Sequence, residues 1–309
     1  MLAVFNALIP VFLLIALGFV LKRYLLKDDA HWTGMEQLTY FVLFPALLTM
    51  TIARANLASV PYGEVAAALI LAILLMSAFL LLLRPLFTRN GISGPTFSSI
   101  FQASTRWQTY IALAVAGSLY GNLGLALAGV AMIAMIPLLN VLSVAVLAWF
   151  ASPKRMSWPQ ILGVIARNPF IWACLLGLIL NLLKVPIPQA ITETADALGR
   201  GSLAIGLLVV GAGLHLEGLV RPRPAVLLTL LLKLVVMPAM AIGIAMAFGL
   251  SGINLAVVAC CASVPAASNA YVLARQLGGD APILAQIIAL QTIVAAITMP
   301  IAIGFAGPP

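Results

Sequence analysis

The segment Ala262-Ser263-Val264-Pro265-Ala266-Ala267-Ser268-Asn269-Ala270-Tyr271 places a proline, two serines and an asparagine inside an apolar stretch long enough to cross a bilayer. Proline has no backbone N–H, and its ring clashes with the carbonyl one turn earlier, so a helix containing Pro265 is predicted to break there. In hydrocarbon, broken backbone is tolerated only where protein covers it or where it lines a polar cavity. The segment is therefore either a proline kink capped by neighbouring serines or a site of the kind at which transporters hold ions and substrates.

The composition is that of an integral membrane protein. Of the 309 residues, 63% are hydrophobic and 8% are charged, whereas about a quarter of the residues of a soluble domain are charged. At about 20 residues per crossing, the chain has room for roughly nine to eleven spans. The longest polar connections, near 22–36 and 151–160, are too short for a soluble domain. The net charge of +8 comes from basic residues scattered through short loops, which favours positive-inside topology over nucleic-acid binding.

Apolar runs bounded by charge, proline or glycine predict ten membrane spans. These are residues 4–22, 37–54, 64–84, 97–119, 124–149, 161–183, 195–216, 224–249, 254–275 and 282–306. The first run is followed by Lys22 and Arg23, so we interpret it as a span and not as a removable signal peptide. Nine basic residues lie in the first, third, fifth and seventh connections. The positive-inside rule therefore predicts that these connections are cytoplasmic and that both termini are outside.

Several landmarks recur at nearly one offset along the chain. They are Pro10 with Pro169, 159 residues apart, Tyr110 with Tyr271, 161 apart, and Pro137 with Pro300, 163 apart. An offset near 160 means five spans in each half, and an odd number of spans inverts the second copy in the membrane. The predicted organisation is a first five-helix repeat over 1–150, a cytoplasmic linker over 151–160 and an inverted repeat over 161–309.

At this offset, the counterpart of the opening segment is Gln102-Ala103-Ser104-Thr105-Arg106-Trp107-Gln108-Thr109-Tyr110 in the fourth span. Most of these side chains can form hydrogen bonds. Arg106 would cost about 2.5–3.5 kcal/mol at the bilayer centre on insertion scales, which disfavours exposure to lipid. The two polar segments are therefore expected to meet inside the protein.

These two segments resemble those of the auxin efflux carrier family, which contains plant PIN-type auxin exporters and bacterial carboxylate carriers of the malate and malonate type. The resemblance covers essentially the whole chain. Its most specific parts are Phe101, Arg106-Trp107-Gln108-Thr109-Tyr110-Ile111-Ala112-Leu113-Ala114, Leu119-Tyr120-Gly121, Val264-Pro265-Ala266-Ala267-Ser268-Asn269-Ala270-Tyr271-Val272-Leu273-Ala274 and Gly278-Gly279-Asp280.

The resemblance implies an all-α inverted repeat of ten helices whose fourth and ninth helices are interrupted and cross at the substrate site. It also implies that helices one, two, six and seven form a scaffold, and that helices three to five and eight to ten form a moving transport domain, as in elevator-type alternating access. A bacterial inner (plasma) membrane is the implied location. Family members often carry a proline in the fourth helix, but here none lies between 96 and 136. Whether the fourth helix breaks is therefore left open.

The two crossover segments contain the candidate substrate-binding residues Thr105, Arg106, Gln108, Thr109, Ser263, Pro265, Ser268 and Asn269. The guanidinium of Arg106 offers a planar fork of donors that matches a carboxylate, and capping of free carbonyls or snorkelling is the alternative. A half-helix that starts after Pro265 would present free N–H groups and a positive dipole to an anion near Asn269.

The other candidates have structural alternatives. Thr105, Gln108 and Thr109 either present a polar strip to a cavity or bond between helices, and Ser263 either binds ligand or satisfies backbone. Lys233 in the eighth span is an intramembrane cation, for which ion coupling competes with structural pairing or snorkelling. The three cysteines lack His or Asp at ligand spacing, so no metal or other cofactor is predicted.

The resulting prediction is a secondary or facilitative carrier of a small organic anion, either a carboxylate or an auxin-like acid. No Walker-type phosphate loop is present, which argues against direct drive by ATP. A membrane enzyme would need a nucleophile with a base or a metal cluster, so the chain is not predicted to be an enzyme, and a channel-like permease is the alternative. The predicted partners are the anion and membrane lipid, not nucleic acid. The substrate, the direction, the coupling ion (H⁺ or Na⁺) and formation of a homodimer are left open.

Overall fold

The regular elements of the protein are helices, as predicted. The structure is a computed structural model that describes residues 2–54, 61–151, 169–214 and 222–307. The helices are α1 (Leu2–Tyr24), α2 (Asp29–Leu38), α3 (Phe44–Ala53), α4 (Tyr62–Leu82), α5 (Arg84–Arg89), α6 (Gly94–Thr105), α7 (Thr109–Phe150), α8 (Pro169–Leu182), α9 (Gln189–Ala212), α10 (Pro224–Leu231), α11 (Met237–Ala247), α12 (Gly252–Ser263), α13 (Asn269–Leu277) and α14 (Ala281–Ala306). Two π-helical turns, Thr39–Leu43 and Leu232–Val236, join α2 to α3 and α10 to α11.

The described residues contain seven helices that are long and apolar enough to cross a membrane. They are Val4–Tyr24, Asp29–Ala53, Tyr62–Leu82, Gly94–Phe150, Gln189–Ala212, Pro224–Ala247 and Ala281–Ala306. The shorter apolar helices α8 and α12 accompany them. The protein is therefore a polytopic integral membrane protein. The start of the predicted span 161–183 and the predicted linker 151–160, apart from Ala151, lie outside the described residues.

The connection predicted at 22–36 is wrong in part, because helix α2 begins at Asp29. Asp28 caps this helix: its side-chain oxygen accepts a hydrogen bond from the backbone N–H of Ala30 over 2.9 Å. An N-terminal cap of this kind satisfies a donor that the first turn leaves free. The second span is consequently longer than its apolar run, since it covers Asp29–Ala53. Its first part is the polar helix α2.

The run Gly94–Phe150 is too long for one crossing. Its 57 residues would make a helix of about 85 Å, against a hydrocarbon core of about 30 Å. Gly121 has φ 56° and ψ −143°, a conformation that glycine adopts without strain from a side chain. A Cβ on Gly124 would overlap the carbonyl oxygen of Ala116, so the backbones on either side of Gly121 are in contact. The chain reverses direction there.

Helices α1, α3, α8 and α9 pack on one another through glycines. A Cβ on Gly18 of α1 would overlap the carbonyl oxygen of Leu208, and one on Gly211 of α9 would overlap that of Ile15. Small residues of this kind let backbones approach closely, which is a main source of helix association in membranes. Helices α4, α6, α7, α11, α12 and α14 pack together beside this group.

Both predicted crossover segments leave the helical conformation. Between α6 and α7, Arg106 is extended, with φ −68° and ψ 155°. Between α12 and α13, Val264 is extended, with φ −66° and ψ 151°. The first break forms without a nearby proline, so its cause lies in tertiary contacts of the segment.

Candidate substrate site

The two interrupted segments lie against each other and bond directly. The backbone N–H of Gln108 donates to the carbonyl oxygen of Pro265 over 2.8 Å, and Gln108 Nε2 donates to Ser268 Oγ over 3.1 Å. Gln108 is only 5% exposed. Buried backbone groups need partners, and here one break supplies a partner for a backbone group of the other.

Gln291 of α14 bridges the same two segments. Its Oε1 accepts from the backbone N–H of Ala266 over 2.9 Å, and its Nε2 donates to the carbonyl oxygen of Ala103 over 3.1 Å. The side chain is fully buried. One amide side chain therefore satisfies a donor in the second break and an acceptor in the last turn of α6, which stabilises both interruptions.

Arg106 brings a guanidinium to this crossing. Its residue is 7% exposed, and Nη2 donates to Asn269 Oδ1 over 3.1 Å and to Asn140 Oδ1 over 3.3 Å. Nη1 is buried and has no hydrogen-bond partner in the described part of the chain. No carboxylate of the described residues lies within ion-pair distance of Arg106. Its acceptors are thus neutral amide oxygens, and a buried charge of this kind favours an anionic partner.

A cavity of about 460 Å³ opens beside the crossing. It is lined by both breaks, by α2 and the following π-helical turn, by the second part of α7 and by the end of α9. The charged side chains among its lining residues are Glu36 and Arg106. The volume is that of an ordinary small-molecule site.

The structure brings five of the eight predicted site residues to this cavity. They are Arg106, Gln108, Thr109, Ser268 and Asn269. The other three lie behind it in the backbone framework. Thr105 Oγ1 donates to the Phe101 carbonyl over 2.8 Å, Ser263 Oγ donates to the Cys260 carbonyl over 3.2 Å, and Pro265 supplies the carbonyl that Gln108 binds.

Sequence reasoning did not place Glu36 or Tyr40 in the site, although both line the cavity. Glu36 fell in a predicted connection. A signal was present, because Glu36, Tyr40 and Phe44 are spaced by four residues, which puts side chains on one helical face. Asn140 of α7, a polar residue of the fifth predicted span, also lines the cavity, and its contact with Arg106 supports the crossover.

An aromatic stack closes the inner end of the cavity. The rings of Phe44 and Tyr110 lie 4.7 Å apart with an interplanar angle of 3°. Gly206 of α9 packs on both, since a Cβ there would lie 3.0 Å from Phe44 Cε2 and 3.3 Å from Tyr110 Cγ. Phe44 is fully buried. This stack joins the helix group of α1, α3, α8 and α9 to the interrupted segment at the start of α7.

Lys233 departs from the interpretation that sequence reasoning favoured. Pairing or snorkelling was expected, but the side chain is 0% exposed and its Nζ has no hydrogen-bond partner among the described residues. It lies in the π-helical turn Leu232–Val236, and such turns are frequent at functional sites. As for metal ions, the described residues contain no group of three His, Cys, Asp or Glu side chains that could hold one.

Comparison with known proteins shows that the second half of the chain is similar to a family of membrane proteins. Residues 159–303 match the family model described as Membrane transport protein. Over these residues the chain is similar to that family of membrane transport proteins. A curated relative from Methanothermobacter thermautotrophicus, named "Uncharacterized transporter", is 32% identical over 135 residues. That match covers 43% of this chain and 44% of the relative. Both matches support the resemblance to the auxin efflux carrier family that the sequence shows.

The part of the chain that matches the family model includes the break after α12 and the bridging residue Gln291. Of the predicted site residues, it contains Ser263, Pro265, Ser268 and Asn269. Arg106 and Gln108 lie before the matched region. Their place in the site therefore rests on their contacts with Asn269, Pro265 and Ser268.

Proposed function

We propose that the protein is a secondary or facilitative carrier of a small organic anion, and that Arg106 binds the carboxylate of that anion. The observation that carries the proposal is the state of its guanidinium, which is buried, lines a cavity and leaves Nη1 unpartnered. Charge-assisted bonds from a guanidinium to a carboxylate are short and strong. An arriving carboxylate would therefore relieve the cost of a buried charge that has only amide oxygens as partners.

The rest of the cavity supports an acid with an apolar or aromatic body. Tyr40, Trp107, Tyr110 and Phe170 contribute rings to the lining. The Trp107 Nε1 is buried without a hydrogen-bond partner, so it offers a second donor to a polar ligand. Aromatic side chains supply a large hydrophobic surface for a ligand body. A carboxylate held at Arg106 and Asn269, with its body against these rings, uses both kinds of group.

For the mechanism, we propose elevator-type alternating access on a ten-helix inverted repeat. In this proposal α1, α2 with α3, α8 and α9 form the scaffold, and the interrupted segments belong to the moving transport domain. The glycine contacts between α1 and α9 support a rigid scaffold. Positive-inside topology would place the cavity on the cytoplasmic side, because Thr33 and Glu36 lie close to the basic connection that precedes α2. Both termini would then be outside, in a bacterial inner membrane.

The contact between Phe44 and Tyr110 supports a carrier over a channel-like permease. Parallel rings 4.7 Å apart leave no room for water between them, so the cavity is closed at this end.

Counterflow in proteoliposomes tests the proposal. Vesicles loaded with an unlabelled carboxylate, drawn from a panel of dicarboxylates and aromatic acids, are expected to take up the same labelled acid transiently and with saturation. Saturation would reflect occupancy of one cavity per conformational cycle. Conductance that rises linearly with concentration, with no counterflow for any acid of the panel, would overturn the carrier proposal.

A further inference from the structure

A second cavity, of about 680 Å³, lies at the other ends of α3 and α9. Its lining includes the end of α3, the start of α9 and the residues that follow the reversal at Gly121. From Thr33, in the candidate site, to Arg54, in this second cavity, the helical path is about 30 Å at 1.5 Å per residue. We call this second cavity the vestibule, and the lining residues that bear on its chemistry are Thr51, Arg54, Asn122, Leu123, Asp196 and Arg200.

The aromatic stack separates the vestibule from the candidate site. Phe44 lies in sequence between Phe41, which lines the candidate site, and Leu47, which lines the vestibule. Gly206, which packs on the stack, likewise lies between Leu203 of the vestibule lining and Val209 of the site lining. The two cavities are therefore approached from opposite ends of the same helices.

The charges of the vestibule do not cancel. Arg54 binds Asp196 in a bidentate arrangement, with Nη1 3.1 Å from both carboxylate oxygens and Nη2 3.1 Å from Oδ2. Arg200 follows Asp196 by one helical turn, yet it has no ion-pair or hydrogen-bond partner among the described residues. Its side chain is exposed and lines the cavity. Two guanidinium groups thus face one carboxylate, and the excess positive charge is that of Arg200.

We propose that the vestibule is a second anion site, at which Arg200 binds the carboxylate of an organic acid. Arg54 is paired with Asp196, so the net positive charge is that of Arg200, and the Asn122 amide of the same lining is a neutral donor. A guanidinium fork matches a carboxylate in geometry as well as charge. The proposal rests on the proposed function for the identity of the ligand, which here is the same anion entering or leaving at the opposite end of the protein.

Cysteine modification measures this potential directly. Leu123→Cys places a thiol in the vestibule, while the native residues Cys174, Cys260 and Cys261 are buried. The rate of modification is measured with anionic sulfonatoethyl methanethiosulfonate and with its cationic trimethylammonium analogue. A unit charge at about 6 Å in water changes each rate about threefold, in opposite directions. Arg200→Gln is therefore expected to lower the ratio of anionic to cationic rates by about tenfold at low ionic strength.

Lys184→Gln is the matched control. Lys184 is exposed and follows α8, whose Asn181 contacts the carbonyls of Ile52 and Ala53 at the end of α3. The control thus removes the same charge from the same end of the protein but outside the vestibule. It is expected to leave the ratio unchanged. Thr51→Cys provides a second reporter position if Leu123→Cys does not fold.

Occupancy is tested by protection. Millimolar succinate or benzoate is expected to slow the anionic reagent in the wild-type background, and to have no effect once Arg200 is replaced by Gln. Protection that survives in an Arg106→Ala background would support the vestibule even if the proposed central site fails. The inference is overturned if neither acid protects, or if Arg200→Gln and Lys184→Gln change the rate ratio equally.

Discussion

The backbone N–H of Gln108 donates to the carbonyl oxygen of Pro265 over 2.8 Å. Each interrupted segment therefore supplies a hydrogen-bond partner that stabilises the non-helical backbone of the other. The partner of this bond belongs to the only one of the two breaks that contains a proline. The break in the first half of the chain, which has no proline, is therefore stabilised by the proline-containing break in the second half. This dependence predicts that damage on either side of the crossing will affect both interruptions.

Replacement of Gln291 by Leu should destabilise the crossing. The substitution leaves the N–H of Ala266 and the carbonyl of Ala103 buried without partners, at a cost of about 1–3 kcal/mol for each group. A lower thermal unfolding temperature in detergent is expected, with loss of counterflow. Thr298→Val is the control in the same helix, because Thr298 Oγ1 binds the Val294 carbonyl of its own helix over 3.3 Å. Equal stability of the two variants would contradict a bridging role for Gln291.

Arg106→Lys should reduce transport at least tenfold while the protein remains folded. Lysine keeps the positive charge, but its single ammonium group lacks the planar fork of a guanidinium. It therefore cannot bind Asn140 and Asn269 through one nitrogen while a second nitrogen binds the ligand. The measurement is initial counterflow rate at saturating and limiting concentrations of a transported acid. Arg275→Lys is the control, since Arg275 is exposed on α13 and does not line the cavity. Wild-type rates for Arg106→Lys would show that charge alone suffices.

Phe44→Leu should open a leak between the candidate site and the vestibule. The substitution keeps an apolar side chain in place but removes the ring that stacks on Tyr110. We expect a non-saturable component of anion flux in proteoliposomes, measured beside the saturable counterflow. Phe79→Leu, on α4 and 40% exposed, removes a ring without touching either cavity. A purely saturable flux in Phe44→Leu would mean that other groups form the barrier.

Gly211→Ala should weaken the contact between α1 and α9. A Cβ there overlaps the Ile15 carbonyl, and overpacking of this kind costs about 1–3 kcal/mol or more. Gly243→Ala is the control, because no atom lies within 4 Å of a Cβ built on Gly243. Thermal unfolding should separate the two variants, with Gly211→Ala melting at the lower temperature. The same melting temperature for both would indicate that the helices can move apart freely.

Lys233→Met should leave stability unchanged or increase it. Replacement of a buried charged group by an apolar side chain of similar volume is often neutral or stabilising, by about 1–4 kcal/mol. Lys184→Met, on the exposed surface, should have little effect on the melting temperature. A clear drop in melting temperature for Lys233→Met alone would reveal a polar partner for the amine in the membrane.

The helical, membrane-spanning character of the protein and the break at Pro265 were predictable, because hydrophobic runs and a proline are local signals. Pro265 cannot donate a backbone hydrogen bond, so an interruption near it is indicated by the sequence itself. The break at Arg106 is different, since it depends on Gln108 reaching Pro265 and on Gln291, which lies 188 positions from its partner Ala103. Glu36 was missed for a related reason. Its run is polar, and only the cap at Asp28 extends the second span far enough to bring it to the cavity.

The parallel rings of Phe44 and Tyr110 have a consequence for how two helix groups can move past each other. Helices with interdigitated side chains must move apart before they can slide past each other. Flat faces at an angle of 3°, backed by Gly206 with no side chain of its own, instead form a slip plane. A displacement of one group parallel to the ring planes would slide these faces over each other without first separating the groups. A side chain introduced at Gly206 would contact the Phe44 ring and hinder that motion.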